Sequence, residues 1–333
     1  MSEISILIPA KNAAEYLEAC INSIIEQSET NWECIVINDN SIDETLEILT
    51  DFAKKDNRIS IYSNSKSGVI TALQLAYSKC NGELIHRMDA DDIMPKQKLE
   101  TLKQQLITSG KGFVATGKVE YFSAKPLGDG YKKYENWLND LTERGANFSE
   151  LYKECVIASP CWMVYRSDFE KAGGFDSEIY PEDYDLVFRF YEAGLQCLPY
   201  SETLHLWRDY AIRSSRTSDL YADNRFIDIK CFYFLKLNYD KNRPLVVWGA
   251  GRKGKSIAQY LIAQNVDFNW VCNNPKKIGK DIYNVRMNST TFIEQLEQPQ
   301  VIIAVANEDE QLELKQYFYS KNWKTMEDFF FFC

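Results

Sequence analysis

Two stretches of alternating strands and helices predict an α/β protein of two domains, one over the first hundred residues and one from residue 245 onward. Between them NYDKNRP, at 238–244, is polar, charged and ends in proline, and so reads as a linker. The length of 333 residues agrees, at about 150 residues per domain.

Ile4 to Ile8 is an unbroken apolar run, expected as a buried strand. Ala13 to Gln27 carries Leu17, Ile21, Ile24 and Ile25 at the spacing of one helix face. Glu33 to Ile37 is the second strand. The next helix is expected from Ser41, whose hydroxyl can cap it, with Asp43 and Glu44 in a first turn that favours anions. Arg58 to Tyr62, Gly68 to Cys80, Glu83 to Arg87 and Pro95 to Ile107 continue as strand, helix, strand and helix, with Pro95 in the first turn. Such repeats need a mostly parallel sheet covered by helices on both faces.

Beyond residue 110 the alternation weakens. Phe113 to Phe122 reads as one strand, and 123–145 as loop with a short helix near Trp137. Trp162 to Arg166 is a strand and Asp183 to Ala193 a helix, followed by strands near Gln196 to Pro199 and Thr203 to Trp207. A polar stretch from Arg213 to Asp223 leads into a helix ending near Leu237. The second pattern has strands at Leu245 to Trp248, Asn269 to Cys272 and Val301 to Ala306, with helices at Lys255 to Gln264 and Gln311 to Ser320. Phe329 to Phe332 reads as a terminal strand, placed in a core or an interface because such a run is sticky when exposed.

Lys plus Arg number 38 against 48 Asp plus Glu, a net charge of -10, which argues against general nucleic-acid binding. No apolar run nears the roughly 18 residues of a membrane span, and MSEISILIPAKN lacks a basic region before a long apolar core. The expectation is a cytoplasmic protein, neither membrane-spanning nor secreted. Nine cysteines without a CxxC pair, and only two histidines, speak against structural zinc and for free thiols.

Ligands of open α/β sheets bind beyond the carboxyl ends of the strands. After the first strand come Pro9, Ala10, Lys11 and Asn12; after the second, Asn38-Asp39-Asn40. Asn64 to Gly68, with Lys66, follow the third, and Met88-Asp89-Ala90-Asp91-Asp92 the fourth. Three carboxylates so close cannot all stay ionised comfortably without a cation, and hard oxygen donors select Mg²⁺ or Mn²⁺.

ILIPAKN, IVINDNSIDET, HRMDADDI and GGFDSEIYPEDYDLVFRFYEAG occur in this order. Together they make residues 3 to about 216 resemble the inverting family 2 glycosyltransferases of GT-A fold. The resemblance implies that Pro9 and Asp39 line the nucleotide base, Asp39 accepting from uracil N3–H, with Ala10, Asn12 and Lys66 in the same nucleotide-binding set. It makes Asp91 the direct metal ligand, and places Asp89 on the ribose or a metal-bound water. It makes Asp183 the catalytic base, which suits a single displacement in which one carboxylate takes the acceptor proton. His205 is a further candidate metal ligand or a packed histidine. Of Arg208, Arg213 and Arg216, one or two are expected to reach the diphosphate, Arg208 and Arg213 being the candidates, and the rest to be surface charges. Lys66-Ser67-Gly68 stands where Asn-x-Gly is usual, and Ala158-Ser159-Pro160 where relatives have His-Pro, which alters the base and acceptor contacts.

Gly249, Gly251 and Gly254 form GxGxxG between a strand and a helix, the setting of a phosphate loop. The acidic residue expected about 20 residues on is missing, since Cys272-Asn273-Asn274-Pro275 stands there. PLVVWGAGRKGKSIA, NNPKKIGK and DFFFF resemble a Rossmann-like appendage of some bacterial glycosyltransferases, a docking or dimerisation module consistent with a homo-oligomer. The expected division is a transferase domain at 1–217, a helical connection and linker at 218–243 and the appendage at 244–333. The resemblance as a whole implies metal-dependent transfer from a nucleotide-sugar donor, UDP-sugar by Asp39, to a saccharide or lipid-linked saccharide acceptor of surface polysaccharide synthesis. The acceptor would bring the protein to the inner face of the membrane. Two rivals stand beside it: a dinucleotide-dependent oxidoreductase or sensor using the glycine loop, and a nucleotide-binding scaffold without turnover.

Overall fold

The computed structural model describes residues 3–211, 213 and 226–333. Arg216 and most of the polar stretch before residue 226 lie outside them. The chain divides into two units, Met1–Phe148 with Val156–Arg213, and Ser149–Cys155 with Ser214–Cys333.

In the first unit β1 (Ile4–Ala10), β2 (Trp32–Asn38), β3 (Ile59–Ser63) and β4 (Leu84–Arg87) run parallel. With β5 (Phe113–Thr116), β7 (Trp162–Tyr165) and β8 (Gln196–Cys197) they form one sheet, ordered β3-β2-β1-β4-β7-β5-β8, in which β7 is antiparallel to both neighbours. The central strands read as nearly continuous apolar runs because helices cover both faces: Ile4, Ile6, Leu7 and Ile8 are all fully buried. The helices are α1 (Ala14–Ile25), α2 (Thr45–Lys55), α3 (Val69–Lys79), α4 (Lys98–Ser109), α5 (Asp129–Arg144), α6 (Arg166–Lys171) and α7 (Glu182–Glu192).

Three expectations change here. The second helix starts at Thr45, not Ser41, because the Ser41 hydroxyl accepts from the Asn12 amide and Asp43 from Ala14. Phe113 to Phe122 is two strands, β5 and β6 (Lys118–Phe122), and β6 pairs with β9 (Thr203–Arg208) in a separate ribbon. The break falls at Gly117, where a Cβ would lie 2.5 Å from the Leu204 side chain. The short helix near Trp137 is the 16-residue α5, closed by Gly145 in left-handed conformation. Its many charges hid an inner face of Leu138 and Leu141 with Glu135, which accepts the Tyr121 amide.

The second unit has a six-stranded sheet ordered β12-β13-β11-β10-β14-β15. Its strands are β10 (Leu245–Trp248), β11 (Asn269–Cys272), β12 (Asp281–Ile282), β13 (Val285–Ser289), β14 (Gln300–Ile303) and β15 (Phe329–Phe331), all parallel but β12. Its helices are α8 (Phe226–Leu237), α9 (Arg252–Ala263) and α10 (Glu308–Ser320). The terminal phenylalanines are core: Phe329 to Phe332 are buried, and Phe332 stacks on Tyr152 at 5.2 Å. The stretch expected as a linker is tied to this unit by hydrogen bonds. Asn238 donates to Met326 O, Asp240 N to Gln300, and the Arg243 guanidinium to Gln298 O, Pro299 O and Asp328. Among the described residues no helix is long and apolar enough to cross a membrane.

Candidate active site

Parallel pairing brings the loops after β1 to β4 to one edge of the first sheet. The ladder continues past the strand ends, with Asp39 N on Ala10 O, Asn64 N on Asn38 O and Met88 N on Leu7 O. At this edge the first three loops are tied together. Asn12, with φ of 49°, accepts the Ile42 amide on its side chain. The Lys11 amine donates to the Ser67 hydroxyl at 3.0 Å and lies 3.6 Å from Asp39. Asp39 is buried at the centre, accepting from the Asn64 side-chain amide at 2.7 Å and from the Gly68 amide. Pro9 is half-buried and Ala10 buried at the floor, while Lys66 is exposed on the third loop with its amide on Asn64.

The loop after β4 carries the acidic turn. Asp89 accepts from the Arg87 Nε at 3.2 Å. Asp91 accepts from the Tyr210 hydroxyl at 2.9 Å. Its burial, together with the charges of Asp92 and Asp89, pushes Asp91 up to about 7. A group so placed gains from a nearby cation. Asp92 faces inward, fully buried, and takes the Arg208 amide at 2.7 Å and His205 Nε2 at 3.0 Å. Burial and the charge of Asp89 raise it as well.

His205 serves this inner network. It is fully buried, and its Nδ1 accepts from the Lys98 amine at 2.9 Å, which also donates to Pro160 O at 2.6 Å. Burial and Lys98 push the imidazole well below its usual range, so it is neutral: Nδ1 accepts and Nε2–H donates to Asp92. Both ring nitrogens are engaged within the protein, the arrangement that the packed alternative for His205 expects. Arg208 is likewise structural, its Nε on Asp91 O at 2.6 Å and its guanidinium over the rings of Tyr16 and Phe122. Arg213 lies over Trp207 at 5.0 Å, with Asp92, Asp91 and Asp89 holding its charge firmly.

Asp183 stands in the first turn of α7 beside Glu182. Glu182 accepts from the Arg87 Nη1 at 3.0 Å, so Arg87 joins the acidic turn to the start of this helix. Burial is the largest cause, and Glu182 the next, of Asp183 being pushed up to about 7, while Arg87 opposes the rise. Asp185, two residues on in the same turn, holds Arg189, which donates to Ala172 O and Gly174 O and so docks the GGFD loop on the helix. The structure thus brings Asp39, Asp89, Asp91 and Asp183 into one unit. Tyr210 and Lys98 escape a motif-based reading, and nothing in the residue pattern marks them. Arg87 falls within HRMDADDI and Asn64 in the loop after the third strand, but the pattern gives neither a role.

Among the described residues no three His, Cys, Asp or Glu side chains converge as a metal cage. The two outward carboxylates, Asp91 and Asp89, are hard oxygen donors. They fit Mg²⁺ or Mn²⁺ in the mode that takes one or two carboxylates and completes its shell with substrate phosphates and water.

In the second unit the glycine loop opens α9, and two of its three glycines stand where a side chain would meet neighbouring atoms. Gly249 has a φ of 116°, and its carbonyl accepts from the Trp270 indole at 2.8 Å. Lys277 takes the Ala250 carbonyl at 2.6 Å. A Cβ on Gly254 would lie 2.2 Å from Gly249 O, whereas Gly251 faces open space.

The parallel sheet with its tied strand-end loops and acidic turn has the fold of the GT-A class. The model of glycosyl transferase family 2 matches residues 5–173, and the chain belongs to that family. Glycosyltransferase GlyG of Streptococcus pneumoniae is 37% identical over 216 residues, covering 62% of this chain and 71% of that one. In fold the chain is similar to S. aureus TarS 1-349 in complex with UDP, at a TM-score of 0.52, 15% identity, and 78% and 70% of the two chains. It is also similar to mannosyltransferase PcManGT of Pyrobaculum calidifontis in complex with GDP-Man and Mn²⁺, at a TM-score of 0.54, 16% identity, and 78% and 69%.

Proposed function

We propose that this glycosyltransferase moves a sugar from a UDP-sugar to an acceptor hydroxyl by one inverting displacement, assisted by Mn²⁺ or Mg²⁺. The observation that carries the reading is Arg87, whose two arms join Asp89 to the helix start that bears Asp183. Donor and base functions thereby share one rigid frame. The tied loops around Asp39 suit a flat base beneath Pro9 and Ala10, and a carboxylate has lone pairs for a further donor such as uracil N3–H. The UDP bound to TarS and the GDP-Man bound to PcManGT are compatible occupants of such an edge.

Asp183 takes the proton of the acceptor hydroxyl while that oxygen bonds to the anomeric carbon. The bond from that carbon to the diphosphate breaks on the opposite face, and the nucleoside diphosphate departs with the electron pair. Burial keeps Asp183 near the pH at which a base works best. A cation held by Asp91 and Asp89 would neutralise charge growing on the diphosphate oxygens. Arg213, charged and beside the acidic turn, is the guanidinium we assign to the same phosphates. The acceptor is a saccharide or lipid-linked saccharide of bacterial surface polysaccharide. We place the reaction in the cytoplasm at the inner face of the membrane, in keeping with the lack of disulfides among the described residues.

Calorimetric titration of UDP, GDP and NAD, each with and without Mn²⁺, tests the reading. Mn²⁺-dependent binding of UDP is the expected result. Preference for GDP overturns the donor assignment, and binding of NAD alone overturns the site.

A further inference from the structure

We propose that Tyr210 is a positioning residue for Asp91, fixing the carboxylate in the orientation that a cation–diphosphate complex needs. The inference rests on the cation-assisted reading above and deepens it. The second half of β9 and the residues just after it clasp the acidic turn at successive points. Leu206 and Ile93 exchange backbone hydrogen bonds at 3.0 and 3.1 Å. Arg208 then donates its amide to Asp92 Oδ1 and its Nε to Asp91 O. Tyr210 completes the clasp with its hydroxyl on Asp91 Oδ2 at 2.9 Å.

The first three of these contacts hold main chain or the inward Asp92; Tyr210 alone reaches the side chain of the outward acid. Among the described residues none bonds Asp91 Oδ1, so the phenol takes one oxygen and leaves the other to face a ligand. The phenol is itself held: its ring packs on Tyr16 of α1 at 4.8 Å, and Tyr16 also carries the Arg208 guanidinium at 4.8 Å. A carboxylate crowded by two other acids needs a donor that fixes its torsion without bringing a second charge. A neutral hydroxyl does this, and partners of that kind strengthen a cation site by orienting its ligand.

The test is UDP binding to the full chain with Mn²⁺ and with EDTA, in wild type and Tyr210→Phe, alongside thermal unfolding. Phe keeps the ring packing and removes only the hydroxyl. The expected result is about a 10-fold loss of UDP affinity with Mn²⁺, unchanged affinity in EDTA and an unchanged melting temperature. In turnover assays donor KM rises by a similar factor while kcat stays within about twofold. Unchanged affinity with Mn²⁺, or an equal loss with and without it, overturns the role of Tyr210 alone. A wild type whose UDP affinity ignores Mn²⁺ overturns the cation reading, and the role of Tyr210 with it.

Discussion

The Arg87 guanidinium meets the Glu182 carboxylate at 3.0 Å, across 95 residues of sequence. Because Arg87 ends β4 and Glu182 begins α7, this pair links the acidic turn to the helix start that bears Asp183, the proposed base. It also puts a positive charge beside Asp183, opposing the rise that burial and Glu182 impose.

Replacing Arg87 with Met therefore moves the rising limb of the kcat–pH profile upward by about one pH unit and lowers kcat at pH 7 about 5-fold, because the half-ionised base of the wild type falls to about one-tenth ionised. Both partners are largely buried, with side chains 7% and 10% exposed, so the variant also loses about 3–5 kcal/mol of stability. Arg87→Lys keeps the charge and separates the two effects. A limb that stays in place in the Met variant would show that Arg87 does not act on Asp183.

The wild-type pH profile follows from the groups facing Asp183: Glu182 and Asp89 raise it, Arg87 and the Tyr184 amide lower it, and burial leads. A base must be ionised, so kcat rises with pH through about 7. Stability runs the other way. The folded pKa lies above the unfolded one, so the contribution of the protonated group is complete below the unfolded value and lost as pH climbs through the folded one. Asp183→Asn should lower kcat by about 10²–10⁴, keep UDP affinity, and be more stable than wild type at pH 8. Turnover that survives in this variant removes Asp183 as the base.

The fold of the first hundred residues is legible because parallel strands buried on both faces write themselves as apolar runs, as at Ile4 to Ile8. The acidic residues at strand ends are legible for the same reason, since topology decides where a strand end lies. What stays hidden is pairing over long separations. His205 and Lys98 are 107 residues apart, and Tyr210 and Asp91 are 119 apart. No local period marks such pairs, so the residue pattern by itself leaves both the metal and the packed reading of His205 open. The misplaced start of α2 has a similar cause. Ser41 is a good cap in isolation, but Asn12, from the loop after β1, claims its hydroxyl.

Lys98 is fully buried and sits behind the acidic turn with two acceptors, Pro160 O and His205 Nδ1. Burial pulls its pKa down from the usual lysine range. Lys98→Met fills the space but strands both acceptors and leaves buried Asp92 with one nearby cation fewer. The expected loss is about 2–5 kcal/mol, read from the midpoint of urea unfolding. Because Asp92 and His205 hold the turn from within, UDP affinity should fall together with stability in this variant. A stability equal to wild type would show that the network is not holding the core.

The glycine loop of the second unit permits a sharper contrast, because two of its glycines differ only in what surrounds them. Gly254 lies on α9 against the Gly249 carbonyl, where a Cβ would sit at 2.2 Å. That carbonyl is fixed, since it accepts from Trp270 and its residue needs a φ of 116°. Gly254→Ala must therefore push the helix off the strand, costing about 1–3 kcal/mol. Gly251, at a φ of -74°, has nothing within 4 Å of an added Cβ and no backbone need for glycine. Gly251→Ala should change stability by less than about 0.5 kcal/mol. Thermal unfolding of the two variants checks this. Equal destabilisation would mean that the loop requires open backbone at residue 251 for a reason other than packing, and ligand screening against that variant becomes the next step.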